Sequence, residues 1–276
     1  MFDRRRRRRV AGFVLVTAAA TLAAATSRAQ TTLTEQQLEQ GGLQPPSQGP
    51  WDVSLGVGVA GMPTYDGAKN YRAQPVPLVL IRYRDLIFLG PGGLGVNVVH
   101  WGGLRMGPVI GYGGGRRQSD DPHLSGLGDI QAAVTAGAFA NYTVGHWVVA
   151  GTVRQAVTHT DDGLLGNVRL DYRQVLVPGK VYLMAGPELG LANGRYERTY
   201  FGVTPAQSAS SGLPEFTPHG GLKEVGLNFG LTYRWSQHVL LRSFGGVREL
   251  VDDTGSSPVV QSRTQGFLGV GAAYHF

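Results

Sequence analysis

The chain has 276 residues, 25 Lys+Arg against 19 Asp+Glu, 42 glycines and no cysteine. Without cysteine there is no disulfide, no thiol nucleophile and no thiolate metal site, and glycine far above the ordinary ~7 % argues against a helical protein. The basic surplus is a property of the leader: residues 1–29 hold seven arginines and one acid, leaving 18 bases and 18 acids after them. The alkaline isoelectric point is therefore no argument for nucleic-acid binding, and no nucleic-acid partner is expected.

In chain order, Arg4 to Arg9 form a basic run, Val10 to Ala25 an apolar stretch, and Ser27-Arg28-Ala29 a small-residue cleavage pattern. That order reads as a secretory signal peptide over residues 1–29, cut between Ala29 and Gln30. The apolar run is shorter than the ~20 residues a membrane helix needs. Residues 30–50 read as a periplasmic linker broken by Pro45-Pro46-Ser47, with a short helix over Leu33 to Gln40.

From Trp51 onward the rhythm has period two. Trp51, Val53, Leu55, Val57 and Val59 share one face, and Asp52, Ser54, Gly56, Gly58 and Ala60 the other. A second strand falls at 73–83, and residues 86–99 read as a short hairpin around Gly90 to Gly93. The same alternation runs through Leu104–Tyr112, Ile130–Tyr142, Trp147–Val153, Val168–Tyr172, Val181–Leu191, Leu227–Tyr233, Val239–Val247 and Leu268–Phe276. Strands of ten or so residues suit a tilted bilayer crossing, whereas strands of soluble sheets average about five or six. Aromatics near the strand ends suit interfacial girdles. The fold expected for residues 51–276 is all-β, a transmembrane antiparallel β-barrel of about twelve strands, or ten if 86–99 does not pair as a hairpin. Counting back from a C-terminus on the periplasmic side, every long connection falls outside (114–129, 158–166, 193–223, 251–260) and the short ones inside.

Charges fall on the face opposite the apolar one. Arg105, Arg154, Arg169, Arg173, Arg234, Arg242 and Arg248 are expected in the lumen against Asp52, Asp171, Glu188 and Glu224, since a charge in mid-bilayer lipid costs ~2–4 kcal/mol. Seven bases against four acids leave a positive field. An open lumen would then prefer anions, and a fully cross-paired one would be closed. At the C-terminus, Leu268, Val270, Ala272, Tyr274 and Phe276 form an alternating, aromatic-ended strand that reads as a signal to the barrel assembly machinery. A terminal strand of that kind needs a partner, or it is an aggregation-prone edge.

No enzymatic chemistry stands out. Ser125 with His123 is the nearest nucleophile–base pair, but Gly-x-Ser-x-Gly is absent. Gly111 to Gly115 opens no helix of a nucleotide-binding unit. The clusters His159, Asp161, Asp162 and Asp120, Asp121, His123 read as solvated loop acids rather than a metal site, and no cofactor is expected. The segment 193–223, with Tyr196, Tyr200, Phe201 and Phe216, is long enough to be a packed lid or plug.

Several stretches carry a family resemblance: Gly61 to Gly67 (Gly-Met-Pro-Thr-Tyr-Asp-Gly); Tyr83, Arg84 and Asp85; Gly107 and Pro108 with Tyr112, Gly115 and Arg116; Leu124 to Gly128; Ser257, Pro258 and Val259. Most telling is the outer-loop run Tyr200, Phe201, Gly202, Val203 and Thr204, followed by Gln207 and Ser208 and by Ser211, Gly212, Leu213 and Pro214. In their order and spacing these resemble the MipA/OmpV family over residues 51–276. The resemblance implies an outer-membrane protein in contact with lipid, and a scaffold role toward periplasmic murein-cleaving and murein-synthesising enzymes. A small-solute, anion-preferring porin or osmotic-stress channel is the alternative it leaves. The family supplies no catalytic residues to carry over.

Overall fold

The structure, a computed structural model, describes residues 50–276. The signal peptide, cleavage site and linker expected up to residue 49 lie outside the described residues. Strands dominate. They are β1 (Trp51–Pro63), β2 (Tyr71–Tyr83), β3 (Ile87–Gly90), β4 in two pieces (Gly93–Val96 and Val99–Trp101) and β5 (Leu104–Gly113). Then follow β6 (Ala133–Val144), β7 (Trp147–Ala156), β8 (Leu164–Val177), β9 (Val181–Ala192), β10 (Gly221–Arg234), β11 (Val239–Leu250) and β12 (Thr264–His275).

Each strand pairs antiparallel with its neighbours in sequence. β12 pairs with β1, Leu55 opposite Tyr274 and Val59 opposite Val270, so the last strand meets the first and the sheet closes. Closure removes the terminal edge. β4 is one strand with a break: Gly95 stands opposite Val109 but Val99 opposite Met106, a slip of one residue at Asn97 and Val98. The result is a twelve-stranded antiparallel barrel, the larger of the two strand counts the sequence allows. Among the described residues no helix is long and apolar enough to cross a membrane, and the strands make the crossing instead.

The wall is sorted as the alternation requires. Val57, Val59, Ile110, Val149, Val153, Val168, Leu189, Leu227, Val247, Leu268 and Val270 are exposed on the outside. Hydrocarbon is the medium that makes such a surface stable. Trp51, Trp101, Trp147, Trp235, Tyr142, Tyr274 and Phe276 ring the end with the short turns, and Tyr71 and Tyr112 mark the other. The turns at 84–86, 102–103, 145–146, 178–180 and 235–238 are short; the connections 64–70, 114–132, 157–163, 193–220 and 251–263 are long and share the opposite end. In bacterial barrels the long-loop end is the outer one.

Two details depart from strict alternation. Ile130 and Ala132 precede β6 rather than open it, and Ile130 bridges to Arg116 instead. The inner face is also not all glycine and charge: Ala60, Met62, Val76, Leu78, Phe244, Phe267 and Ala273 form a buried apolar cluster inside.

Candidate functional site

The long-loop end is covered by a folded cap. Segment 193–220 is not a plain loop. It holds α1 (Gly194–Phe201) and α2 (Pro205–Ser211). Asn193 caps α1, its side chain accepting from the Tyr196 N–H. Thr204 and Gln207 form a reciprocal capping box on α2, and Gly212 ends it in the left-handed conformation, the stop that glycine favours. The run Tyr200 to Pro214 thus covers the end of α1, the joint between the helices and the whole of α2 with its cap. A third helix, α3 (Asp252–Ser256), sits in the last long connection.

Apolar side chains from four of the long connections close the cap. Tyr65, Ala68, Leu124, Leu127, Val203 and Val259 bury one another. Tyr196, Tyr200, Phe201 and Leu250 form a second cluster beside them. Many of the polar groups caught between find partners, as burial demands, although Arg116 Nε and one Glu197 oxygen do not. The Tyr65 hydroxyl donates to the Val259 carbonyl at 2.9 Å. The Tyr200 hydroxyl donates to the Gly114 carbonyl, and Arg116 donates to the Tyr200 carbonyl at 2.6 Å. Arg116 is 2 % exposed, and burial pushes its guanidinium down to about 10, the nearby tyrosines opposing. Ser257 donates to the Phe201 carbonyl at 2.6 Å, Gln207 to the Leu127 carbonyl at 2.7 Å, and Thr254 to Glu197 at 2.9 Å.

The loop acids have structural work. Asp121 accepts from Thr64 and Asn70 and from the His123 N–H. Burial would raise its carboxyl, but these donors hold it below the ordinary value. His123 contacts the Pro258 carbonyl at 3.0 Å, inside the cap. Among the described residues, no three His, Asp or Glu stand together as a metal site.

Beneath the cap lies a buried ionic bridge. Asp66 in the first long connection receives Lys223 Nζ at 3.0 Å and an Arg248 nitrogen at 2.7 Å. Glu224 receives Lys223 at 2.9 Å and Arg248 at 3.5 Å. Although burial opposes its ionisation, Arg248 and Lys223 hold the Asp66 carboxyl below its ordinary value. Two consecutive strand residues, Lys223 and Glu224, should face opposite ways. Here Gly190 stands opposite Glu224 and Leu191 opposite Leu222. Lys223 is the extra residue of a bulge, which turns both side chains inward. Alternation alone therefore missed Lys223, and Asp66 was hidden in a loop motif.

The other charges expected in the lumen fall as follows. Arg169 and Asp171 pair at 3.1 Å, each 1 % exposed. Glu188 is buried opposite Arg169. Arg242 is buried, and Arg154, Arg173 and Arg234 are half-buried on the inner side. Arg82, absent from the expected set, is also half-buried on the inner side of β2. Asp52 lies 3.6 Å from His275, which also meets Ser54 at 3.2 Å. Arg105 is at the short-turn rim, bonded to Asp85 and to the Gly102 and Leu104 carbonyls. Leu268, Val270, Ala272, Tyr274 and Phe276 all lie on the outer face of β12, and the Phe276 N–H donates to the Val53 carbonyl at 3.0 Å.

A family model described as MltA-interacting protein MipA matches residues 55–276. No curated protein matches the chain. Among solved structures, it is similar to the translocator domain of the autotransporter NalP from Neisseria meningitidis. That likeness has 14 % identity and a TM-score of 0.41, over 94 % of this chain and 98 % of that one. It is also similar to outer-membrane OmpT of Vibrio cholerae, with 10 % identity and a TM-score of 0.35, over 82 % of this chain and 97 % of that one.

Proposed function

The chain belongs to the family of MltA-interacting protein MipA, and on that premise we propose that it is a closed outer-membrane scaffold for murein-cleaving and murein-synthesising enzymes. The observation that carries this reading is the seal at the outer end. The cap packs two apolar clusters over the mouth, and the bridge of Asp66, Lys223, Glu224 and Arg248 ties the first long connection to β10 and β11. A permanently open solute channel has no use for such a seal; a protein valued for its rim does.

The surface offered to enzymes is the short-turn rim, which faces the periplasm in barrels of this topology. Turns of two to four residues hold it rigid, so a partner meets a preformed surface at little ordering cost. Trp51, Trp101, Trp147 and Trp235 stand exposed around it, and tryptophan is a preferred anchor both at membrane interfaces and at protein interfaces.

The surplus of inner arginines supports a second reading, an anion-preferring channel gated by the cap. The two readings part in one experiment. Under the scaffold reading, the folded protein solubilised in mild detergent retains a murein transglycosylase and a murein synthase together, and grafting an unrelated rim by exchanging the five short turns abolishes retention. Retention of neither enzyme by the intact protein would overturn the scaffold.

A further inference from the structure

The short-turn end of the lumen is rich in arginine. Arg82, Arg173, Arg234 and Arg242 all lie toward the short-turn ends of their strands, on β2, β8, β10 and β11. Alternation turns them inward. Tyr172, Tyr233 and Leu241, next to three of them in sequence, are exposed on the outer face, while Leu80, Thr232 and Leu240, two residues from Arg82, Arg234 and Arg242, are buried. Arg82, Arg173 and Arg234 keep accessible surface although they point inward, so space wide enough for water lies beside them.

The acids at this end are engaged. Asp85 bonds to Arg105, and Asp171 pairs with Arg169 at 3.1 Å. Asp52 stands opposite Arg82 in the β1–β2 ladder and 3.6 Å from His275. In their own ladders Arg173, Arg234 and Arg242 face Met184, Leu240 and Thr232. Like charges on neighbouring strands concentrate positive potential at the mouth, which the low-dielectric wall focuses.

The chain supplies a complementary segment at the same place. β1 starts at the short-turn end, where the Arg84 N–H donates to the Pro50 carbonyl, so residues 30–49 join the wall at this mouth. They contain two acids, Glu35 and Glu39, and no lysine or arginine. In the short helix expected over Leu33 to Gln40, carboxylates at this spacing share one face, ~6 Å apart. Arg242 stands opposite Thr232, on the same inner face of β10 as Arg234, which puts the two arginines ~8 Å apart at the main chain. Reach is ample. The chain from Glu39 to Pro50 can extend ~36 Å, and β11 is two strand spacings from β1, ~10 Å.

We propose that residues 30–49 fold back into the short-turn mouth and set Glu35 and Glu39 against Arg173, Arg234 and Arg242. Guanidinium and carboxylate make strong, directional pairs. This segment is the occupant rather than a separate acidic partner because it is tethered at the mouth, which raises its local concentration. The fold-back narrows the lumen from below as the cap covers it from above. The proposal goes beyond the scaffold reading and does not depend on it.

A glutamate-specific protease tests it, since Glu35 or Glu39 must leave the mouth before the chain can be cut there. The mature protein is treated briefly in detergent at low salt, and the mass of the large fragment reads cleavage at those two sites. Cleavage is expected to be ~10-fold faster in Arg173→Gln/Arg234→Gln than in the wild type, and faster in the wild type itself once salt screens the pairs. Arg84→Gln/Lys180→Gln removes charges exposed on the turns outside the mouth and leaves protection as it was. Equal cleavage rates in the wild type and in Arg173→Gln/Arg234→Gln would overturn the proposal, as would protection lost only in the turn variant. Arg234→Gln alone takes the place of the double variant if the latter gives no heat-modifiable barrel.

Discussion

Asp66, in the connection after β1, binds Lys223 at 3.0 Å and Arg248 at 2.7 Å, joining the start of the chain to strands more than 150 residues later. Removing one member of a buried ionic set costs ~3–5 kcal/mol because the others are left buried with their charge uncompensated. Asp66→Asn is therefore expected to release the cap while the strands stay paired. Limited proteolysis reads this directly: segments 64–70 and 251–263 become cleavable, and the barrel remains heat-modifiable. Protection equal to that of the wild type would count against the bridge as the tie.

Cap stability is expected to fall as pH rises from 4.5 to about 7. Burial pushes the Glu197 carboxyl from 4.5 up to about 7, with the Thr254 hydroxyl opposing. Burial likewise lifts Asp162 from 3.8 to about 6. A carboxyl raised in the folded state binds its proton more tightly there than when unfolded. Its contribution is fully present below the unfolded value and is lost as pH rises through the folded one. For Glu197 the window is pH 4.5 to about 7, and the loss is of order 3 kcal/mol. Glu197→Gln flattens the pH profile of cap proteolysis in that window. An unchanged profile would show that this carboxyl does not report on cap opening.

Gly163 is expected to tolerate no side chain. Its φ is +72°, and a β-carbon there would run into the main-chain nitrogen of Tyr196 and the side chain of Asn193. Asn193 is the residue that caps α1 and also accepts from the Leu164 N–H at 3.1 Å. Gly163→Ala combines a left-handed backbone with a collision, at ~1–3 kcal/mol. Hydrogen exchange over residues 193–201 measures it, faster exchange in α1 being the expected result.

Deleting Phe276 is expected to reduce the amount of assembled barrel far more than the stability of what assembles. In the finished wall the residue contributes one hydrogen bond, to the Val53 carbonyl, and a ring that is mostly exposed. Net, one such bond is worth ~1 kcal/mol. Folded barrel in outer-membrane fractions is compared with the melting of purified protein. Equal yields would remove the case for a C-terminal assembly signal.

How much of this could be read from the sequence follows from what period two encodes. Alternation depends on a medium that sorts side chains face by face, so the strands, the lipid-facing band and the short-turn rim were all visible in it. What alternation cannot encode is a break in itself. The bulge at Lys223 reverses one residue, and the slip at Asn97 and Val98 divides β4; neither leaves a local mark. The cap was legible only as a long segment with too many aromatics. Its helices are short, with Asn193 and Thr204 as their caps, and their stability comes from contacts with four other connections. The edge that residues 71–80 of β2 present on the side away from β1, where no described strand pairs with them, was signalled by Pro75 and Pro77 inside an otherwise regular strand, a pattern that marks an edge but does not say which one.

Conductance of the purified, refolded barrel in a planar bilayer under a salt gradient is the most direct measure of a closed scaffold. The expected result is a wild-type bilayer no more conductive than lipid alone, with anion-preferring openings appearing only in Asp66→Asn, where the cap is untied and the inner arginines are exposed to solution. A steady ohmic conductance through the wild-type protein would contradict the closed scaffold.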